Sequence, residues 1–268
     1  MNEAYVHGYG AGEGQRLKDQ AATLADLLHD GLSFPSGARV FEAGCGVGAQ
    51  TLELARRHPQ AEFVSVDVSA ASLAQAEAAV ASAGLTNVRF QQADLFAPPF
   101  AARSFDAAFV CFVLEHLADP SGALRALQRV LKPGGALIVI EGDHGSTLFH
   151  PESAFARRAI QAQIDLQAAA GGDANIGRRL YPLLVEAGLR DVRVEPRLVY
   201  VDGARPDWAA GFTLKTYAAM IAAVRERALA AGLASAADFD RGVADLRRCA
   251  EADGVFVYTF FRATARTG

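Results

Sequence analysis

Val40-Phe41-Glu42-Ala43-Gly44-Cys45-Gly46-Val47-Gly48-Ala49-Gln50-Thr51 is the stretch that decides how this chain folds. Arg39–Ala43 reads as a short apolar strand and Gln50–Arg57 as a helix. Between them, glycines at 44, 46 and 48 let the backbone turn tightly and approach a ligand with no Cβ in the way. The first turn of the helix adds oriented N–H groups. The spacing is G-x-G-x-G, not the G-x-G-x-x-G of dinucleotide binders. Glu42 stands beside the turn, where a carboxylate repels phosphate and suits a cationic or amino-bearing ligand. Asp67 follows at the end of the next strand. An acidic side chain there can accept both hydroxyls of a ribose, or it can cap the helix that begins after it.

Working outward, strand and helix signals alternate. An amphipathic helix is expected over 15–30, behind a glycine-rich aromatic arm with Tyr5, His7 and Tyr9. Glu62–Val68 is the second strand, and Ser69 offers an N-cap to an alanine-rich helix ending at Gly84. Val88–Gln91 is a third strand. Phe105–Phe112 is a fourth and nearly all apolar, as a central parallel strand covered on both faces should be. Asp119-Pro120 opens a helix, Lys132-Pro133-Gly134-Gly135 stops it, and Ala136–Glu141 is the fifth strand. Helices are expected over 152–170 and Ile176–Ala187, and strands over Asp191–Val201 and Val255–Ala263. Between those two strands lie about 50 mostly helical residues, including a helix over Thr213–Ala231, too long for a hairpin loop. The alternation predicts an α/β fold, a doubly wound sheet with right-handed crossovers, and a helical cap over one end of it.

Composition bounds the function. The 268 residues are 51% hydrophobic and 21% charged, which fits a folded globular chain. The longest apolar run, Ala107–Leu114, is too short to span a bilayer, and the N-terminus lacks an apolar signal core, so a cytoplasmic protein without membrane partners is expected. A net charge of −4 disfavours nucleic acid as a partner. Cys45, Cys111 and Cys249 lie far apart, and the His and Asp residues match no zinc spacing, so no disulfide framework and no metal are expected.

The motifs resemble those of class I S-adenosylmethionine-dependent methyltransferases, of the ubiquinone/menaquinone-biosynthesis-like, small-molecule type. The likeness runs from about Ala38 to Gly142 and weakens through Val201. Glu42–Gly48 resembles the family's first motif, Asp67 its ribose-binding acid, and Gln92-Ala93-Asp94-Leu95 the segment whose aspartate contacts the adenine amino group. Ser104-Phe105-Asp106 with Leu114-Glu115-His116-Leu117 resembles the fourth-strand motif, and Leu131–Gly135 the turn before the fifth strand. The resemblance implies a seven-stranded, mostly parallel Rossmann-like sheet with an antiparallel last strand, closed by Asp191–Val201 and Val255–Ala263. It also implies contacts to S-adenosylmethionine, and to its product S-adenosylhomocysteine, from Glu42, Gly44, Cys45, Gly46 and Gly48, and from Asp67, Val68, Asp94, Leu95 and Cys111.

The domain organisation that follows is an N-terminal arm and helix over 1–37 acting as a cofactor lid, a core over 38–202 and 251–268, and a cap over 203–250. The activity implied is direct displacement of the methyl group by an O, N or C atom of a small organic acceptor. A nicotinamide-dependent oxidoreductase and an inactive binding module are the alternatives. Acceptors of open α/β sheets sit beyond the carboxyl ends of the strands. Candidates for acid–base work there are Asp143 and His144, in a loop after the fifth strand, and His116, for which packing as a helix-start residue is the favoured alternative. Tyr9, Phe112, Trp208, Phe212 and Tyr217 are candidates to contact the acceptor, with core packing the alternative for those of the cap.

Overall fold

The computed structural model describes residues 11–268. Its strands are β1 (Arg39–Ala43), β2 (Glu62–Asp67), β3 (Val88–Gln92), β4 (Phe105–Cys111), β5 (Leu131–His150), β6 (Arg190–Val201) and β7 (Val255–Arg266). They form one sheet in the order β3-β2-β1-β4-β5-β7-β6. The pairs β1–β2, β1–β4, β2–β3 and β4–β5 are parallel. Gly134 N donates to Thr267 O and Thr267 N to Gly135 O, which sets the end of β7 against the start of β5 and makes that pair antiparallel. The winding reverses between β1 and β4, so the doubly wound mixed sheet expected from the motifs is present. Among the described residues no helix is long and apolar enough to cross a membrane.

The helices are α1 (Ala11–His29), α2 (Ala49–Arg57), α3 (Ala70–Ser82), α4 (Pro120–Val130), α5 (Ala154–Ala169), α6 (Leu180–Glu186), α7 (Pro206–Trp208), α8 (Ala219–Ala223), α9 (Arg225–Ala230) and α10 (Ala236–Arg248). Their starts follow the capping chemistry. The Ser69 hydroxyl accepts from Ser72 N before α3, and Asp119 accepts from Gly122 N before the Pro120 of α4. One stable cap contributes about 1 kcal/mol.

The described chain divides into two compact units. A glycine-turn unit holds Ala25–Glu141, Ile176–Pro196 and Phe261–Gly268. Its core joins Phe41, Val66, Phe105 and Val110 of the strands to Leu124 and Leu127 of α4 and Leu180 and Leu184 of α6. A helical unit holds the chain up to Leu24, Gly142–Asn175 and Arg197–Phe260. There α5 lies along α10, and Gly242 leaves room for the Phe155 carbonyl of the facing helix. This close helix pair groups 142–175 with the residues after 197, so the units do not follow the expected boundaries at 202/203 and 250/251. The arm carrying Tyr5, His7 and Tyr9, proposed as part of a lid, lies outside the described residues.

Three elements differ from expectation. Lys132-Pro133-Gly134-Gly135 does not form a separate turn but lies within β5, whose first residue pairs with Phe105 across a bulge between Phe105 and Ala107. The same strand runs on past Glu141 to His150, so Asp143 and His144 are strand residues and buried, not loop residues. The segment 176–187 begins as a 3-10 turn, Ile176–Arg179, before α6, because Pro182 brings no N–H to a continuous α-helical ladder. The expected helix over 213–231 is instead a π-helical stretch, Ala209–Ala218, followed by α8 and α9. The Thr216 hydroxyl donates to Gly211 O five residues back, in keeping with the wider winding.

Candidate functional site

The glycine turn sits between the buried β1 and α2. Gly44, Gly46 and Gly48 have φ of 74°, 53° and 77°, a region that glycine enters without steric cost. The three are not equivalent. A Cβ on Gly44 would strike the Val113 side chain, and one on Gly48 would lie 2.8 Å from the Ala76 Cβ. A Cβ on Gly46 would meet nothing within 4 Å. Gly44 and Gly48 are therefore packing glycines, whereas Gly46 faces open space.

Asp67 ties this turn to the next. Its Oδ2 accepts from Gly46 N at 2.8 Å and its Oδ1 from Ser69 N at 2.9 Å. Ser69, not Asp67, caps α3, so the helix-cap alternative for Asp67 does not hold. A carboxylate offers about four lone-pair sites, so each oxygen keeps acceptor capacity beyond these backbone bonds. Nearby, Gln92 Nε2 donates to Val68 O, and Asp94 Oδ1 accepts from Phe96 N. Val68 and Asp94 are exposed, while Leu95 packs part-buried against the core.

Glu42 is only 2% exposed. Its Oε2 accepts from Thr51 Oγ1 at 2.7 Å and Ser65 Oγ at 2.6 Å. Burial raises its carboxyl to about 7, against the opposing pull of the two hydroxyls. Thr51 and Ser65 were not assigned a role from sequence. Ser65 had a signal, being the polar residue set opposite Glu42 in the β1–β2 register inside an otherwise apolar run.

Beyond β4, Glu141 is fully buried and was not assigned a role either. Its Oε1 accepts from Val113 N and Leu114 N, at 3.1 and 2.8 Å, and so anchors the 3-10 turn Leu114–His116. Burial first, and then the Glu115 carboxylate, pushes Glu141 well above the carboxylate range. The Cys111 thiol, at the end of β4, is pushed up by burial and by Glu141, Glu42 and Glu115 in turn. The Cys45 thiol in the glycine turn is raised the same way, chiefly by burial. Neither thiol is a ready nucleophile. Phe112 takes a positive φ of 58° at the strand end while its N–H donates to Ile140 O. His116 Nε2 lies 3.5 Å from Glu115 Oε1.

Asp143, His144, Trp208, Phe212 and Tyr217 belong to the helical unit. His144 Nδ1 is 2.7 Å from the Tyr258 hydroxyl, and Thr147 Oγ1 lies 2.7 Å from the Tyr217 hydroxyl while donating to His144 O. Phe212 and Tyr217 are buried against Phe256 and Tyr258, with Phe212 also against Phe260, so packing accounts for both. Trp208 is part-exposed, with the Arg205 guanidinium 5.7 Å from its ring centre.

A methyltransferase-domain family matches residues 41–139, the span holding the glycine turn, Asp67, Asp94 and Cys111. The chain carries a class I S-adenosylmethionine-dependent methyltransferase domain. Demethylmenaquinone methyltransferase of Thermus thermophilus is 41% identical to it over 103 residues, 38% of this chain and 46% of that protein. A 37.1 kDa protein encoded in transposon TN4556 of Streptomyces fradiae is 30% identical over 217 residues, covering 80% of this chain and 59% of the other. The chain thus spans less than two thirds of the length of these relatives. Among solved structures, the [4+2]-cyclase SpnF shares the fold with a TM-score of 0.56 at 24% identity, over 91% of this chain and 79% of SpnF. Fold alone does not settle the reaction. The family match does favour the methyltransferase reading of the glycine spacing over the nicotinamide-dependent one.

Proposed function

We propose that the methyltransferase domain binds S-adenosylmethionine at the glycine turn and passes its methyl group to a small organic acceptor. The observation that carries this reading is Gly46. It is a left-handed glycine facing open space, its N–H is held by Asp67, and the buried Glu42 lies at the end of the preceding strand. The Asp67 carboxylate at such a turn suits a cationic amino-acid nucleoside better than a phosphate. In this reading the remaining acceptor sites of Asp67 take the ribose hydroxyls and Asp94 the adenine amino group. Gly44, Cys45, Gly48, Val68, Leu95 and Cys111 complete the contacts.

The cofactor, when bound, supplies a methyl carbon on positively charged sulfur, which an acceptor lone pair displaces while the C–S electron pair returns to sulfur. The chain's own work is to align the partners and take up any proton the acceptor sheds. Glu141 holds the backbone of Val113 and Leu114 in place beyond β4. For an O–H or N–H acceptor, His144 is the base; Asp143 and His116 are secondary candidates. Phe112, at the end of β4, fits a partly apolar acceptor, in keeping with the name of the Thermus relative.

Calorimetric titration with S-adenosylhomocysteine and with NAD tests the reading. Binding of S-adenosylhomocysteine alone is expected. Tight NAD binding with no response to S-adenosylhomocysteine overturns it.

A further inference from the structure

Glu141 is fully buried on β5 and uses only one of its two oxygens. Oε1 accepts from Val113 N at 3.1 Å and Leu114 N at 2.8 Å, while Oε2 has no hydrogen-bond partner among the described residues. A buried polar oxygen left unpaired is costly, so packing alone does not account for a carboxyl here; the two bonds of Oε1 do. What they hold is a sharp bend. β4 ends at Cys111, Phe112 takes a φ of 58°, and Val113 follows at φ −119° and ψ −47°. A positive φ on a bulky side chain is uncommon and persists where the surroundings fix it. Two successive N–H groups converging on one oxygen fix the backbone immediately after it.

The bend sets the Val113 side chain against the glycine turn. A Cβ on Gly44 would lie 2.6 Å from Val113 Cγ2 and 3.1 Å from Cγ1, so the two methyl groups occupy the space that glycine leaves. The turn is otherwise tied to the end of β2. Gly44 N and Cys45 N both donate to Val66 O, at 2.8 and 2.9 Å, and Gly46 N donates to Asp67 Oδ2. Those bonds fasten the turn to β2, and Val113 limits how closely the end of β4 approaches it. All of these residues belong to the glycine-turn unit.

We propose that Glu141 is a positioning residue of the cofactor turn: through the backbone of Val113 it holds that side chain against Gly44 and so keeps the shape of Gly44–Gly48. The inference rests on the reading of this turn as the S-adenosylmethionine site.

Glu141 acts here without touching the cofactor. The contacts run from its Oε1 to the backbone of Val113, from the valine methyls to Gly44, and from Gly44 along the chain to Gly46, which faces open space. A run of glycines has few side chains of its own to restrict its backbone, so its shape depends on what is packed against it. Close-packed contacts pass on a displacement rather than absorb it. If the bend after β4 loosens, the turn gains conformations, and a ligand must then bear the cost of ordering it.

The test uses the full chain with two measurements: amide hydrogen exchange at Gly44 and Cys45 without ligand, and calorimetry with S-adenosylhomocysteine. Leucine at 141 fills the volume but accepts neither N–H, whereas glutamine keeps an oxygen that accepts both. Glu141→Leu and Val113→Ala are each expected to speed exchange at Gly44 and Cys45 and to lower affinity about tenfold, the equivalent of roughly one hydrogen bond. Glu141→Gln is expected to restore wild-type exchange and affinity. The double variant Glu141→Leu/Val113→Ala should lose no more than either single one, because both break the same link; additive losses overturn the proposal. Leu124→Ala, in the core, controls for general destabilisation, and an equal loss of affinity there overturns a positioning role. Val113→Ala keeps the Glu141 bonds, so it reads the link even if the leucine variant does not fold; wild-type exchange and affinity in Val113→Ala overturn the proposal. Failure of the wild type to bind S-adenosylhomocysteine overturns the cofactor reading. Unchanged exchange at Gly44 and Cys45 in the variants overturns the link itself, whether or not the ligand binds.

Discussion

Glu42→Gln isolates the carboxyl on which the glycine turn is built. The folded carboxyl titrates at about 7, against 4.5 for the unperturbed group, because burial disfavours its charge. Between those values the folded chain binds a proton that the unfolded chain has lost. Stability therefore falls as pH rises through this window, the reverse of an ordinary ion-paired carboxylate. At 1.36 kcal/mol per pKa unit the window is worth about 3 kcal/mol, and because the group is buried, solvent screening does not reduce it. Glutamine keeps an oxygen that can accept from Thr51 and Ser65, so the two hydroxyl bonds survive the substitution. The assay is urea denaturation of wild type and variant at steps from pH 5 to pH 8. Taking the difference between the two proteins cancels the other titrating groups, Glu141 among them. The variant should gain about 2.5 kcal/mol on the wild type between pH 5 and pH 8, most of it between pH 5 and pH 7. A difference that does not change with pH would refute the reasoning and place the Glu42 charge in contact with water.

The glycine turn yields a contrasting pair: Gly48→Ala, which meets Ala76, should lose roughly 2–4 kcal/mol of stability, whereas Gly46→Ala should lose only about 1–2 kcal/mol and instead weaken S-adenosylhomocysteine binding at least tenfold, by denaturation and calorimetry respectively. Asp67→Asn, which turns one acceptor oxygen into a donor, should lower that affinity at least tenfold, since charge-assisted bonds are worth about 1.5–3 kcal/mol each; unchanged affinity would leave Asp67 as a tie between two turns. Leu124→Ala, in the core beneath β4, should destabilise by about 2–5 kcal/mol without altering ligand affinity.

The parts legible from sequence were those set by local chemistry. The three glycines, the caps at Ser69 and Asp119 and the apolar run of β4 each act within a few residues, so a reader of the sequence meets cause and effect together. The parts that escaped were set by partners distant along the chain. Asp143 and His144 look like loop residues because Gly142 and Gly145 flank them, yet the strand continues through them. Gly142 is small to admit a tyrosine 116 residues later, and Thr259 N donates to Ser146 Oγ. Thr213–Ala231 has the periodicity of an α-helix, but Gly211 packs against Thr23 and the winding widens there instead. Phe212 and Tyr217 drew notice as aromatic candidates for an acceptor wall, and the aromatic side chains of β7 claim them for the core.

The placement of His144 in a strand changes what can be asked of it. A histidine in a mobile loop would have to be ordered by the ligand, and its ring state would follow the solvent. A buried histidine whose Nδ1 lies 2.7 Å from the Tyr258 hydroxyl, and whose carbonyl accepts from Thr147, is held in place by the fold. The same logic runs through Glu42 and Glu141. Both are buried carboxyls whose hydrogen bonds come from the chain itself, from two hydroxyls in one case and two backbone N–H groups in the other. Each is an unfavourable place for a charge; Glu42 stands next to the glycine turn that follows β1, and Glu141 holds the turn that follows β4, at the carboxyl ends where an α/β sheet binds its ligand. A fold selected for stability alone would fill those positions with apolar side chains. Two buried carboxyls beside the glycine turn and the end of β4 therefore mark this end of the sheet as the place to test for cofactor binding first.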